Sequence, residues 1–342
     1  MDRYRRQKAF QPIGELGQSR IAMSKVGICG VGALGSAVAE RLCRAGVGTL
    51  VLIDRDWVEW DNLPRQTLFT EKDAEEVTPK SVAIQRHLHA INSQVVLESY
   101  VCDVHADSIS KLFAGCHLIV DGTDNFETRF LINDFCCQTN TPWVHAGIVG
   151  ASGQSMTIIP GRTACFRCLV PEPPPAEQMQ TCDSAGVIGP AVGLIANWQA
   201  IEVLKYLVAG PEAIDGALRT FDLWHGEIRK LTIRRQFPSD SRPGCRACVQ
   251  RKFDFLSGDI GTHAKAMCGR NSVQINTTRS SMDLKALAER LAQECEVSEN
   301  SYMLKFELDG MSWTVFHDGR AIIRGTENVE EARKLYARRI GA

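Results

Sequence analysis

The chain has 342 residues, 44% of them hydrophobic, and a formal net charge of −1. A near-neutral chain gives no electrostatic support to a general nucleic-acid role. No apolar run approaches the roughly 20 residues that a membrane span needs. The charged start, Met1-Asp2-Arg3-Tyr4-Arg5-Arg6, lacks the apolar stretch of a secretory signal.

The apolar residues 26–29 predict a short buried strand. Gly30-Val31-Gly32-Ala33-Leu34-Gly35 follows, then a helix to about residue 45 and a second apolar strand over 49–54 that ends in Asp54. Strand, glycine turn, helix and strand make a parallel βαβ unit. A helix over 80–91, strands over 95–100 and 117–120, a helix over 126–139 and a strand over 143–146 continue the alternation. The pattern argues for an α/β protein with a Rossmann-like, doubly wound, mostly parallel sheet and helices on both faces. After Gly147 the pattern changes. Residues 153–160 and 217–236 read as antiparallel strands. Between them lie the stiff connector Pro171-Glu172-Pro173-Pro174-Pro175 and a helix over about 187–208. From about 262 a small α+β unit is expected, with strands over 272–275 and 301–308. A hairpin of 313–316 and 321–324 turns at His317-Asp318-Gly319. Leu284, Leu287 and Leu291 mark one helical face there, and Val329, Ala332 and Tyr336 another. The expected division is 1–252 and 262–342.

Two Cys-x-x-Cys pairs, Cys165/Cys168 and Cys245/Cys248, have the spacing of a closed, four-thiolate structural zinc site. Thirteen cysteines, several inside apolar runs, suit a reducing cytoplasm with a metal site better than a disulfide framework. The metal would staple the segment that carries Thr181-Cys182-Asp183-Ser184-Ala185-Gly186. Cys182 is not needed by the metal and is a candidate for chemistry at a tethered thiol. The Pro-rich run before it and the small residues after it predict a mobile crossover loop.

The glycines of the first turn permit close backbone approach, and the helix behind them attracts phosphate. Asp54 stands about 20 residues past the last glycine, where a carboxylate accepts from ribose hydroxyls. This much suits a nicotinamide-dependent oxidoreductase equally well. Asn62, Arg65 and Lys80 shift the balance, because converging cations suit a triphosphate. The competing reading of such residues is solvated surface charge. In Asp121-Gly122-Thr123-Asp124-Asn125, a carboxylate at the end of a parallel strand points into the ligand crevice, and Asp124 could hold Mg²⁺. Thr123, Asp124 and Asn125 are also good helix caps.

Several of these motifs occur together, in order, between about residues 3 and 250: Arg3-Tyr4-x-Arg6-Gln7, Gly30-x-Gly32-x-x-Gly35, Asn62-Leu63-x-Arg65-Gln66, Pro79-Lys80, Asp121-x-Thr123-Asp124-Asn125 and Cys165-x-x-Cys168. Together they resemble the ThiF/MoeB/HesA family, bacterial relatives of ubiquitin-activating enzymes. The resemblance implies ATP-dependent adenylylation of the C-terminal glycine of a ubiquitin-fold sulfur-carrier protein, ThiS-like or MoaD-like, ahead of thiocarboxylate formation. It implies that Gly30, Gly32, Ala33 and Gly35 line the nucleotide and that Asp54 binds its ribose. Asn62, Arg65 and Lys80 would hold phosphates. Asp124 would hold Mg²⁺, with Asn125 beside it. Arg6 would reach into a partner subunit's site, which makes the protein a homodimer, and a sulfur-donor protein would act downstream. Ala33 stands where some members have glycine. The remaining readings are a nicotinamide-dependent oxidoreductase and a non-catalytic zinc-stapled adaptor. Thiamine and molybdopterin pathways both stay open, with the longer chain leaning to the thiamine branch. Cys268, beside Gly269 and Arg270, is a reactive-thiol candidate or a structural cysteine.

Overall fold

The structure, a computed structural model, describes residues 2–174, 185–239, 243–258, 264–267, 271–275, 282–300, 302–317 and 319–341. The chain forms two compact units, Met1–Asp259 and Ile260–Ala342.

The first unit is built on β1 Lys25–Cys29, β2 Thr49–Ile53, β3 Val96–Tyr100, β4 Leu118–Asp121, β5 Trp143–Val149, β6 Ser152–Ile158, β7 Leu218–Asp222 and β8 Glu227–Leu231. These strands form one eight-stranded sheet in the order β3-β2-β1-β4-β5-β6-β7-β8. The pairs from β3 to β5 are parallel and those from β5 to β8 antiparallel. Direction reverses at β5 because only Gly150 and Ala151 separate it from β6. A loop that short can only fold back, and Gly150 takes a φ of +62° to do it.

The helices of this unit are α1 Arg5–Lys8, α2 Gly14–Ala22, α3 Ala33–Ala45, α4 Glu71–Glu75, α5 Lys80–Ile91, α6 Ala106–Leu112, α7 Phe126–Thr139, α8 Phe166–Leu169 and α9 Gly189–Ala209. Both faces of the parallel strands are covered, and alternation sorts their side chains between two cores. Leu118 and Val120 join Ile28, Leu52, Leu42 and Val203 on one face. Ile119 joins Val51, Phe130, Trp143 and Phe166 on the other. Helix α9 is apolar nearly all round and packs on α2, α3, β5 and β6. Helix α7 is started by Asn125, whose Oδ1 accepts from the Thr128 N–H at 2.9 Å, and is stopped by Asn140 at a φ of +57°.

The short N-terminal helix α1 has no sequence periodicity to betray it. It is held by polar contacts: Gln7 Nε2 donates to Gln18 Oε1 at 2.8 Å and to Ala45 O at 3.0 Å, Lys8 pairs with Glu15 at 2.8 Å, and Asn92 Nδ2 donates to the hydroxyl of Tyr4, just before the helix, at 2.9 Å.

The second unit holds β9 Ala264–Met267, β10 Ser272–Ile275, β11 Val297–Glu299, β12 Met303–Leu308, β13 Met311–Phe316 and β14 Ala321–Arg324, with helices α10 Leu284–Leu291 and α11 Val329–Arg339. Its sheet order is β11-β12-β13-β14-β10-β9, and all pairs are antiparallel. The sequence showed both helices, β10 and the β13/β14 hairpin, but not β9 or the three-residue β11. Asp309 and Gly310, both at positive φ, make the tight turn between β12 and β13. Leu287, Leu291, Trp313, Ile323 and Tyr336 share its core.

A nucleotide crevice and a four-cysteine cluster

Strand β1 lies between β2 and β4, so successive crossovers leave it in opposite directions. The crevice beyond the carboxyl ends of β1 and β4 is therefore the topological switch point where such sheets bind ligands. The glycine turn sits there. Gly30 adopts a φ of +81°, and a side chain at Gly35 would begin 1.9 Å from Gly30 O. Only glycine lets α3 start this close to the strand end. Gly122, just past β4, packs on the same two residues.

Asp54 closes the turn from the β2 side. One carboxylate oxygen accepts from the Val31 N–H and the other from the Asp56 N–H, both at 2.8 Å. Burial pushes its pKa up to about 6, with the Asp56 charge adding to the rise and Lys80 opposing it. Lys80 begins α5. It is buried, its N–H donates to Asp56 O at 2.8 Å, and its Nζ lies 3.6 Å from the Asp56 carboxylate. Asn62 is buried at the end of a 3-10 turn, where its Oδ1 accepts from the Glu59 N–H at 3.2 Å. Arg65 is half-buried, and its guanidinium donates to Asp61 O. Gln66, next in line, has its side-chain nitrogen 4.0 Å from where a side chain at Gly32 would begin. The glycine turn, Asp54, Lys80 and the 62–66 turn thus meet through these contacts.

On the β4 side, Asp121 is fully buried. It accepts from Thr123 N–H at 2.9 Å, Thr123 Oγ1 at 2.6 Å, Arg129 Nε at 3.1 Å and His145 Nδ1 at 2.8 Å. Burial alone would raise its pKa, but Arg129, His145 and Thr123 together hold it below the usual carboxylate value. Burial pushes His145 the other way, below its ordinary value, and that favours neutral imidazole. Arg129 also donates from Nη2 to Thr123 O, and Gln199 Nε2 donates to Asp121 O at 2.9 Å. This network pins the turn on which Asp124 stands exposed. Asp121 is committed to its partners, and Asp124 is the exposed carboxylate of this turn. Of the three cap candidates, Asn125 is the one that caps α7. Sequence reasoning missed Arg129, His145 and Gln199. The available signal was a polar residue inside an apolar run, as in Trp143-Val144-His145-Ala146.

Arg6 lies exposed on α1 with no ion pair or hydrogen bond to its side chain among the described residues. Cys182 and Cys268 lie outside the described residues.

Cys165, Cys168, Cys245 and Cys248 come together with all four sulfurs within 4.8 Å of one another. The Cys165–Cys168 separation is 3.9 Å, and Cys165–Cys245 and Cys168–Cys248 are each 3.5 Å. These distances exclude disulfides. They match the edge of about 3.8 Å of a sulfur tetrahedron around zinc at about 2.3 Å. The donor set therefore fits a closed structural zinc. Cys165 starts the short helix α8 beneath α7, and Cys245 is fixed by donating its N–H to Gln236 O at 2.7 Å.

A glycine turn at the switch point, an acid at the end of β2 and a separate four-cysteine cluster define a doubly wound α/β protein of the nucleotide-binding class. The chain belongs to the ThiF family, whose model matches residues 4–247. It is 41% identical, over 99% of both chains, to the sulfur carrier protein ThiS adenylyltransferase of Bacillus subtilis (strain 168). It is 38% identical over 247 residues to the Escherichia coli (strain K12) protein of the same name, covering 72% of this chain and 94% of that one. The B. subtilis match includes the second unit. The structure of E. coli MccB with ATP is similar in fold, with a TM-score of 0.60 at 23% identity over 70% of this chain and 74% of that one. No helix among the described residues is long and apolar enough to cross a membrane.

Proposed function

We propose that this protein adenylylates the C-terminal glycine of a small ubiquitin-fold sulfur-carrier protein, using ATP. The observation that carries the reading is the end-to-end match to a relative named for adenylylating ThiS. The crevice supports it: Asp54 accepts from the Val31 N–H of the glycine turn, and Lys80 Nζ lies beside the neighbouring Asp56 carboxylate.

The carrier's terminal carboxylate is ionised at neutral pH and needs no general base. It attacks the α-phosphorus of ATP. The bond to the bridging oxygen breaks, and pyrophosphate leaves with the negative charge. The protein's task is then positioning and charge neutralisation. Asp54 would accept from the ribose, while Asn62, Arg65 and Lys80 hold phosphate oxygens. Asp124 would hold Mg²⁺, a hard cation that suits carboxylate and phosphate oxygens and offsets their charge when bound. Asn125 would order the same turn from its capping position. Arg6, exposed on α1, would complete the site of a second copy, which makes the working form a homodimer. The four cysteines would hold a structural zinc that staples the segment carrying Cys182. That thiol would act in the later sulfur-transfer step or form a covalent link to the carrier. A reducing cytoplasm is the compartment such thiol chemistry suits, with a sulfur-donor protein as further partner.

The test is incubation with ATP, Mg²⁺ and each Gly-Gly-ended carrier, read by intact mass of the carrier and by pyrophosphate release. Addition of one adenylyl group is expected. No adenylyl transfer to any carrier sinks the reading. A Cys182→Ala protein that forms both acyl-adenylate and thiocarboxylate at the normal rate removes Cys182 from the mechanism.

A further inference from the structure

Gly189 opens α9, and its place is fixed from both directions along the chain. Before it, the backbone is pinned to the turn between β5 and β6. Gly150 N–H donates to Gly186 O at 2.8 Å, and Ile188 N–H donates to Gly150 O at 3.2 Å. After it, Ala191, Val192, Ile195 and Ala196 are buried in the core. Across from it stands the turn that carries Arg65. A side chain at Gly189 would begin 2.7 Å from Pro64 O and 3.7 Å from Arg65 Cα. The first distance is well inside van der Waals contact, and the atom it meets is backbone. A methyl group there would force the two segments apart by roughly 0.7 Å. Helix α9 is held by those hydrogen bonds and by its buried face, whereas Pro64 is exposed and Arg65 half-buried. The turn is the part that yields.

We propose that Gly189 is a positioning residue for nucleotide binding: its missing side chain lets the start of α9 set where the 62–66 turn, and with it Arg65, stands. The inference rests on the adenylylation reading, in which Arg65 holds a phosphate, and adds a residue that touches no ligand. Pro190 offers a local reason for the same glycine, since a residue with a Cβ resists helical backbone before proline. The two reasons part on substitution. Strain before proline loosens the helix start, whereas loss of the close approach moves Arg65.

The experiment uses the full chain as wild type, Gly189→Ala and Arg65→Ala, with the double variants Gly189→Ala/Pro190→Ala and Gly189→Ala/Arg65→Ala. Gly193→Ala is the control. Gly193 lies one turn further along α9, where an added side chain meets nothing within 4 Å. The readouts are equilibrium binding of MgATP, and kcat and KM in carrier-dependent pyrophosphate release. Gly189→Ala is expected to fold with a near wild-type Tm. It should bind MgATP about ten- to a hundredfold more weakly, the effect of a displacement of this order at a positioned group. KM for MgATP should rise with it, while KM for the carrier holds. The loss should persist when Pro190 is also replaced. It should vanish in the Arg65→Ala background, where the displaced group is gone. Gly193→Ala should bind as wild type does. A lower kcat with unchanged KM is what a structural defect gives, by reducing the active fraction, and it overturns the proposal. Wild-type binding by Gly189→Ala overturns it, as does binding restored by Pro190→Ala. Full additivity with Arg65→Ala, or an equal loss in Gly193→Ala, also overturns it. So does a Gly189→Ala chain that does not fold, since the helix would then have yielded instead of the turn. A wild type that binds MgATP but releases no pyrophosphate with any Gly-Gly-ended carrier removes the adenylylation reading, and Gly189 is then judged on binding alone. A wild type that binds no MgATP removes both.

Discussion

Arg129 donates from Nε to Asp121 at 3.1 Å, and both side chains are buried beneath the turn that presents Asp124. The pair joins α7 to the end of β4, and the same guanidinium holds Thr123 O and, at 3.3 Å, Ala146 O. Replacing Arg129 by leucine leaves a buried carboxylate without its counter-charge, a change that costs about 3–5 kcal/mol. Urea unfolding at pH 7 should show the loss. Asp121 has a depressed folded pKa, so its stabilisation is present above about pH 3.8 and lost in more acid solution. The gap between wild type and variant should therefore narrow below that pH. A constant gap would mean that the pair is not what holds the turn.

Asp54 has its pKa raised to about 6 by burial. A bound ribose would favour the carboxylate, both of whose oxygens accept, over the acid, whose protonated oxygen turns donor and is the weaker acceptor. Affinity for MgATP is therefore expected to fall as pH drops through about 6 and to be flat above it. Asp54→Asn should flatten the profile and weaken binding about tenfold, the worth of roughly one hydrogen bond. Equilibrium binding across pH 5–8 checks both statements.

Asp134 is buried on α7. One of its oxygens accepts from the Phe255 N–H at 3.0 Å, and the other has no partner. Burial pushes its pKa up to about 6 from 3.8. Between those values the native state binds the proton that the unfolded chain has released, so stability falls as pH rises from about 4 to 6, and the penalty persists above. Asp134→Asn keeps an acceptor for Phe255 and carries no charge. It should raise stability by about 1–2 kcal/mol at pH 8, within the limit of about 1.4 kcal/mol per pKa unit, and change little at pH 4. Thermal melts at the two pH values test the difference.

The four-cysteine cluster should carry about one zinc per chain by elemental analysis, as its sulfur spacings fit. Cys248→Ser, at the least buried of the four, or a strong chelator should remove the metal and lower the Tm by several degrees. Hydrogen exchange should rise first in the segment around Cys245 and Phe255, which the cluster ties to α8. A metal-free protein with an unchanged melt would leave the cluster a packing feature only.

Much of the parallel sheet was legible because its strands carry unbroken apolar runs between amphipathic helices. The helices over 80–91 and 126–139 have in the structure the bounds that their periodicity predicts. The 217–236 run resolves into β7 and β8 with an irregular stretch after them, because polar residues on an edge strand blur the alternation. The helix expected over 187–208 starts at Gly189, after Val187 has paired with Gly150. Short elements such as α1, β9 and β11 left no period to read.

By itself, the order of residues determined the chemistry on offer: which glycines could bend, which cations and carboxylates stood near strand ends, and which thiols had ligand spacing. Those are local properties, set by residue type and separation along the chain. Only the tertiary structure decided that Arg129, His145 and Gln199 converge on Asp121, that Gln66 is buried with its side-chain nitrogen near Gly32, and that Asn125 spends its oxygen on a helix. Each of those outcomes depends on which strands lie side by side and on how far burial excludes water, and neither is a property of any single stretch of chain.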